Sequence, residues 1–300
     1  MESSIDSLLP LYQRERSADR AMVLAIVRNT RGSTYRKAGA ILLIAQNGDF
    51  AGLLTGGCLE SDLLEHATNV IRTGRPGRVS YDLSTRDDLI WGIGAGCEGA
   101  MDIELIRVGP QEQWQPFARL VAGHEAHRAE RLEIGPDFSI ELALPPRVLL
   151  CGGGPDTVPI AALAQTLHWK LTVIDHRPAY ARCDRFPASV SVKLIDLDTL
   201  GAGLDLAHFD AAVVLSHHLA FDLAYLRLLA RSTLGYIGLL GPPMRRQRLL
   251  ADLGADAARL RGRLHAPVGL QIGGRAPESI ALAIVAELHA YFHHKLDQLP

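Results

Sequence analysis

Val148-Leu149-Leu150-Cys151-Gly152-Gly153-Gly154-Pro155-Asp156 decides the fold of the second half of this chain. An apolar run ends in three glycines, and an amphipathic stretch begins directly after them. That is the strand, glycine loop and helix start with which a dinucleotide-binding unit opens. Leu171-Thr172-Val173-Ile174-Asp175 is a second apolar run, ending in an acid. Its distance from Gly152 suits an acid that hydrogen-bonds a ribose hydroxyl, which is found about 20 residues on. His176 and Arg177 follow, placed to accept an extra phosphate. Thr157 stands where the nucleotide fingerprint has its third glycine, so helix and strand are expected to pack less closely than in a standard NAD site.

Outward from this loop the chain alternates strand and helix, which argues for a parallel sheet. Strands are predicted at 147–151, 171–175, 190–195, 211–216 and 235–240, and helices near 156–168, 219–231, 243–253 and 277–295. Ser216-His217-His218 ends the fourth strand, at the edge where open α/β sheets bind ligands. Neighbouring strand side chains point to opposite faces, so a two-histidine metal clip is not expected there. Either one histidine meets a bound phosphate or one is simply exposed. Arg245 and Arg246, after the loop Gly238 to Pro243, either touch an anion or lie on a solvated helix face.

The front of the chain starts as a meander. A leading helix is predicted over 5–20 and strands at Met22 to Val27, Ala40 to Ala45 and Phe50 to Leu54, with Asn47-Gly48 as a hairpin turn. Leu59, Leu63, Ala67, Val70 and Ile71 then recur with helical spacing, predicting a helix from about Cys58 to Thr73. Gly56-Gly57-Cys58 would put the thiol in the first turn, a position that favours thiolate. A tight turn with the thiol packed inside is the other reading. A strand over Arg78 to Leu83 precedes the glycine-rich stretch Trp91 to Ala100, which holds Cys97, and a further strand runs from Met101 to Val108. His124 and His127, on a helix predicted over Trp114–Arg131, are three apart. A solvated helix face explains them better than a metal pair without a third ligand. Gly135-Pro136 and Pro145-Pro146 bracket a short strand and read as an inter-domain linker.

Three hundred residues are a soft prior for about two domains, and 48% hydrophobic with 21% charged residues allows a sizeable core. A net charge of −2 gives no field that would collect nucleic acid or an anionic membrane. Met1 to Arg20 lacks a basic start followed by an apolar stretch, so no signal peptide is expected. No apolar run approaches the roughly 20 residues of a bilayer span. These features predict a cytoplasmic protein. Four cysteines without a C-x-x-C pair favour a reducing compartment over a disulfide scaffold, and each starts as a small buried hydrophobe.

Several of these segments together resemble the xanthine dehydrogenase accessory proteins, the XdhC/CoxI family. In the front half they are Gly32-Ser33-Thr34-x-Arg36 leading to Gly39-Ala40, then Gly56-Gly57-Cys58-Leu59-Glu60, then Gly96-Cys97-Glu98-Gly99. In the rear half they are Gly152-x-Gly154-Pro155-Asp156, Val173-Ile174-Asp175-His176-Arg177-Pro178 with Arg185-Phe186-Pro187, and Ser216-His217-His218 through Asp222. Gly238-Leu239-Leu240-Gly241 and His265-Ala266-Pro267-Val268-Gly269-Leu270-x-Ile272-Gly273 complete the set. The chain departs from the family pattern at Glu98, at Gln271 and at Ser216-His217-His218. The last two remove carboxylates from the rear half.

The resemblance implies a carrier that binds molybdenum cofactor (molybdopterin), protects it while a separate cysteine desulfurase or sulfurtransferase adds a terminal sulfur, and passes it to apo xanthine dehydrogenase or a related molybdenum hydroxylase. It implies no turnover by the carrier itself. Cys58 and Cys97 correspond to the family's loop cysteines, and thiolate is a soft ligand able to reach molybdenum or hold sulfur. The expected architecture is α/β: a small mixed N-terminal domain over 1–134, a linker over 135–146 and a Rossmann-like domain over 147–300. Gly56, Gly57, Cys58 and Cys97 form the expected cofactor and metal site. Gly152 and Gly154 cradle a phosphate, with Asp175 and Arg177 beside them for NAD(P) or another nucleotide. A homodimer is expected, without nucleic acid or membrane partners. The rival reading is an NAD(P)-dependent oxidoreductase in which Asp175 holds the ribose and Cys58 or His217 serves the substrate. A third is a partner-binding protein with a relic Rossmann fold.

Overall fold

The computed structural model describes residues 5–56, 59–82, 99–196, 198, 200–201 and 203–296. The chain divides into two compact units between Leu144 and Pro145.

The first unit is built on an antiparallel sheet of order β3-β2-β1-β5-β4, with β1 Met22–Gly32, β2 Ile41–Ala45, β3 Phe50–Gly52, β4 Gly77–Asp82 and β5 Gly99–Val108. β1 takes the centre because Met22 to Val27 is apolar at every position, which suits a strand covered on both faces. Met22, Leu24 and Ile26 join a core with α1 (Leu9–Ser17) and α3 (Phe117–Glu125). Val23, Ala25 and Val27 join a second core against α2 (Glu60–Thr73) through Leu63, Ala67 and Val70. Gly74, at φ 69°, ends α2 in the left-handed conformation that glycine adopts without penalty.

The stretch expected as a linker belongs largely to this unit. β7 (Ser139–Glu141) pairs with β6 (Arg131–Glu133), and Ile134, Ile140 and Leu142 lie in the core shared with α1 and α3. Gly135-Pro136, read as a linker signal, is instead in the turn between these strands, with Gly135 at φ 70°. The short strand expected between Gly135-Pro136 and Pro145-Pro146 is β7, with Ile140 and Leu142 buried.

The second unit is a six-stranded parallel sheet of order β10-β9-β8-β11-β12-β13. Its strands are β8 Arg147–Cys151, β9 Lys170–Asp175, β10 Ser191–Leu194, β11 Ala211–Val214, β12 Ile237–Leu239 and β13 Leu264–His265. This is the Rossmann strand order, with the direction of winding reversing between β8 and β11. β13 went unpredicted because two residues carry no periodicity. α4 (Thr157–Thr166) and α7 (Pro277–Phe292) cover one face with Ile160, Ala164, Ile284 and Leu288. α5 (Leu219–Ala230) and α6 (Pro243–Leu253) cover the other with Leu226, Leu229 and Leu249. No helix among the described residues is long and apolar enough to cross a membrane.

Candidate functional site

At the reversal point of the parallel sheet the glycine loop is held tightly by its own neighbours. Gly152 has φ 130°, and a Cβ there would lie 2.5 Å from the Leu215 carbonyl oxygen. Its glycine identity is therefore required by the close approach of β8 and β11 backbones. A Cβ on Gly153 would lie 2.7 Å from the Tyr180 carbonyl oxygen, whereas one on Gly154 would meet only the His217 ring, at 3.6 Å. The Gly152 N–H donates to the Ile174 carbonyl (2.8 Å), that of Gly153 to Asp175 Oδ2 (2.7 Å) and that of Thr157 to the Gly154 carbonyl (3.1 Å). Gly154 and Asp156 keep the N–H groups of this loop that have no partner among the described residues. The fingerprint's missing glycine is also explained, since Thr157 is buried and its hydroxyl donates to the Gly152 carbonyl at 2.7 Å.

Asp175 differs from the ribose acceptor that its spacing suggests. It is fully buried; Oδ1 accepts from the Arg177 backbone N–H (2.8 Å) and Nε (2.9 Å), and Oδ2 accepts from Gly153 N–H and Arg177 Nη2 (both 2.7 Å). Both oxygens are filled from within, so a ribose hydroxyl would have to displace the guanidinium. Burial pushes its carboxyl up, but the hydrogen bonds from Arg177 and from the Gly153 and Arg177 N–H groups outweigh it and hold the group below the ordinary carboxylate range. Arg177 is likewise engaged, on Asp175 and over the Tyr180 ring at 4.1 Å. It is no free phosphate receptor. Burial lowers the affinity of the adjacent His176 for its proton, partly countered by Asp175.

Two pairings at this edge escaped sequence reasoning. His217, at φ 59°, places Nε2 2.8 Å from Asp156 Oδ2. Asp156 sits at the start of α4 yet makes no side-chain cap there, so its carboxylate serves His217 instead. Asp222, fully buried, accepts from Ser216 Oγ (2.5 Å) and from Arg245 Nε (2.9 Å) and Nη2 (2.6 Å). Arg245 is thus a structural partner, not a solvated residue. The first-turn position of Asp222 was the only clue, and nothing local pairs it with a residue on another helix. Cys151 is buried, and desolvation pushes its thiol up, which keeps it protonated and inert.

In the first unit several strands end toward the same side of the sheet. β1 ends at Gly32, paired with Gly99 at the start of β5, and β4 ends at Asp82, paired with Ala100. β2 begins at Ile41, and β3 ends at Gly52, paired with Leu42. The connections 33–40, 53–59 and 83–98 therefore leave the sheet in the same direction, but not at one level: Gly52 is in register, through Leu42 and Ala25, with Leu105, well along β5 from Gly99. Cys58, Gly57 and Cys97 lie outside the described residues, but the strands that anchor their loops are fixed. β3 and β5 stand three inter-strand steps apart, roughly 14 Å at the usual spacing.

On that side of the sheet, Gly99 admits no side chain, because a Cβ would lie 2.6 Å from the Arg31 and Ser33 carbonyl oxygens. A Cβ on Gly56 would meet nothing within 4 Å among the described residues. Thr55 is buried and donates to Glu60 Oε1 (2.6 Å), while Glu60 Oε2 accepts from the Leu59 N–H (3.0 Å). α2 begins at Glu60, two residues later than predicted, and its first turn carries Glu60 and Asp62. Those carboxylates already answer the positive end of the helix. Arg31 and Lys37 are exposed on the 33–40 side of the edge, and Thr34 Oγ1 donates to the Arg36 carbonyl (2.8 Å), shaping that loop. Positive groups above a sheet edge suit an anionic cargo. His124 and His127 do not share a helix face: α3 ends at Glu125, His127 has φ 48°, and His124 pairs with Asp6 at 3.2 Å. Among the described residues no group of three or more histidine, cysteine, aspartate or glutamate side chains is arranged to hold a metal.

Known proteins match both units. The XdhC Rossmann domain matches residues 148–288, and the XdhC and CoxI family matches residues 16–82. A Bacillus subtilis (strain 168) protein described as a probable xanthine dehydrogenase subunit is 32% identical, over 89% of this chain and 92% of its own length. "Molybdenum cofactor insertion chaperone PaoD" of Escherichia coli (strain K12) is 23% identical, over 91% of this chain and 84% of its own. A crystal structure described as a xanthine dehydrogenase from Bacillus halodurans superposes with a TM-score of 0.81 at 28% identity, covering 96% of each chain. With both units matched and a relative of this identity aligned along nearly its whole length, the chain belongs to the XdhC and CoxI family.

Proposed function

We propose that this chain is an accessory protein of a xanthine-dehydrogenase-like molybdenum hydroxylase, carrying molybdenum cofactor to the apo-enzyme. The observation that carries the reading is full-length kinship to two relatives, one described as a molybdenum cofactor insertion chaperone and one as part of a xanthine dehydrogenase. The common direction of two strand ends supports the placing of the chemistry in the first unit. The loop bearing Cys58 follows β3 and that bearing Cys97 precedes β5, both strands leaving the sheet in the same direction at different levels, with Arg31 and Lys37 exposed near the β5 end. In this reading Cys58 and Cys97 hold molybdenum or its sulfur, with Gly56 and Gly57 letting backbone approach the cargo. When bound, the cofactor supplies the metal centre that the client enzyme uses. The protein itself binds, shields and releases it. A separate sulfurtransferase adds the terminal sulfur, and the carrier acts as a homodimer.

In the second unit Gly152 shapes the loop, and the N–H groups of Gly154 and Asp156 are the donors left for a phosphate. The oxidoreductase reading loses its ribose acceptor, because Asp175 is filled by Arg177 and Gly153.

Native mass spectrometry of protein purified from a molybdopterin-producing host tests the proposal. Retained molybdopterin mass supports it; retained NAD(P) without pterin overturns it. Cys58→Ala and Cys97→Ala variants test the site separately. Loss of cofactor loading and of client maturation, with folding intact, is expected. Loading and maturation equal to the parent would remove both thiols from the site.

A further inference from the structure

Between α6 and the 3-10 segment Gly254–Leu260 the second unit has a concavity of about 470 Å³, lined by Arg246, Leu250, Ala257, Leu260, Arg261 and Leu264 among others. Its size falls in the range of small-molecule sites, roughly 300–1,000 Å³. Leu250, Leu260 and Leu264 belong to or pack on the core under α5 and α6, so the floor is fixed. Small residues keep the space open: Ala257 and Ala258 line it, and a Cβ on Gly254 or Gly262, also in the lining, would meet nothing within 4 Å.

The charges at the rim are uneven. Of the arginines in this region, Arg245 is bound to Asp222, Arg263 donates to the carbonyls of Ala230, Ser232 and Leu234, and Arg231 and Arg259 share Asp256. Arg246 and Arg261 line the concavity and have no carboxylate partner among the described residues. Asp256, the acid of the 3-10 segment, already pairs with Arg231 and Arg259. Two unneutralised guanidinium forks over an apolar floor select a ligand with two ends. One end is a carboxylate or phosphate, which the forks meet in bidentate geometry; the other is a compact apolar body. A bare anion would leave the leucine floor wet, and a neutral hydrocarbon would leave the arginines unused.

We propose that this concavity is a binding site for a small organic anion, a phosphate or carboxylate carried on an apolar body. None of the glycine-loop residues lines the site, and it does not depend on the carrier reading.

Titration of the full chain, followed by calorimetry, uses four probes: phenyl phosphate, benzoate, benzyl alcohol and inorganic phosphate. Saturable binding of phenyl phosphate or benzoate, and of neither benzyl alcohol nor inorganic phosphate, is expected; which of the two binds tighter identifies the head group. The Arg246→Ala/Arg261→Ala variant should weaken that binding about tenfold or more. Ala258→Trp, placed on the exposed rim, should block it with the arginines intact. Binding of inorganic phosphate as tight as that of phenyl phosphate would reduce the site to a charged patch and overturn the proposal. So would the absence of saturable binding by both aromatic anions, or binding unchanged in both variants. A glycine-loop variant, His217→Asn, must bind the same probe like the parent; if it loses binding instead, the ligand sits elsewhere.

Discussion

In the parallel-sheet unit Asp175, Asp222 and Glu287 each accept two or more hydrogen bonds from within the unit; among the described residues at the loop side of the antiparallel sheet, Arg31 and Lys37 stand exposed and Gly56 has open space around it. Glu287 completes the rear set, accepting from Tyr236 Oη (2.9 Å) and the Gly269 N–H (2.5 Å), with His265 Nδ1 at 3.1 Å. These acids of the rear unit thus spend their polarity on fixing the sheet edge, the loop after β13 and the glycine turn. Arg31 and Lys37 of the front unit stand exposed instead. An acid or a glycine can serve architecture in one half of a chain and face outward in the other; its hydrogen bonds decide which.

The widest gap should open between two glycine substitutions. Gly152→Ala combines a strained φ with a Cβ against the Leu215 carbonyl and should cost roughly 4 kcal/mol, read as an early unfolding transition in urea. Gly56→Ala should stay within about 0.5 kcal/mol of the parent in the same melt. If instead it lowers cofactor loading, the front edge is a contact surface. Asp222→Ala comes next: it leaves Arg245 and Ser216 without their buried acceptor and should cost about 3 kcal/mol in denaturant titration.

A smaller effect is expected at Asp175. Asp175→Asn should cost about 2 kcal/mol at neutral pH, by loss of charged hydrogen bonds. The folded-state pKa of Asp175 lies below its ordinary value, as does that of Glu287, where burial opposes the shift and His265, Tyr236 and Gly269 drive it. Their stabilisation is therefore complete above the ordinary carboxylate range and is lost as pH falls through the depressed folded values. The parent should weaken on acidification below about pH 4, and Asp175→Asn should show a shallower acid limb in thermal melts. His217→Asn should change stability least, within about 0.5 kcal/mol, because the pair with Asp156 is half exposed and asparagine tolerates positive φ. A larger loss would make His217 part of the rear lock.

Long-period features were legible in the sequence. Val148 to Asp156 announced β8, the glycine turn and α4, and apolar spacing from Leu63 to Val70 announced α2. Features set by partners distant in sequence were not. Spacing put Asp175 at the ribose position, but only the fold brings the Gly153 N–H onto its carboxylate, beside its sequence neighbour Arg177. Spacing likewise gave no sign that Asp156 turns from its own helix to His217. That β3 and β5 leave the sheet in the same direction follows from strand order, which periodicity does not encode. The short strand at 139–141 was expected, but not its pairing with β6, because Gly135-Pro136 and Pro145-Pro146 read as the punctuation of a linker.

β1 and β5 are neighbours in the sheet, yet β2, β3, α2 and β4 all lie between them in sequence. A ribosome must therefore release the chain through Val108 before the central pair can zip. Until then the strands that anchor the loops of Cys58 and Cys97 have no common sheet to join. Closure of such a distant pair is slow relative to local helix formation. A nascent or truncated chain thus has no assembled sheet in this unit, and any ligand of its loops can meet one only after synthesis has passed that strand. In the carrier reading proposed above, the order of translation would delay loading until then.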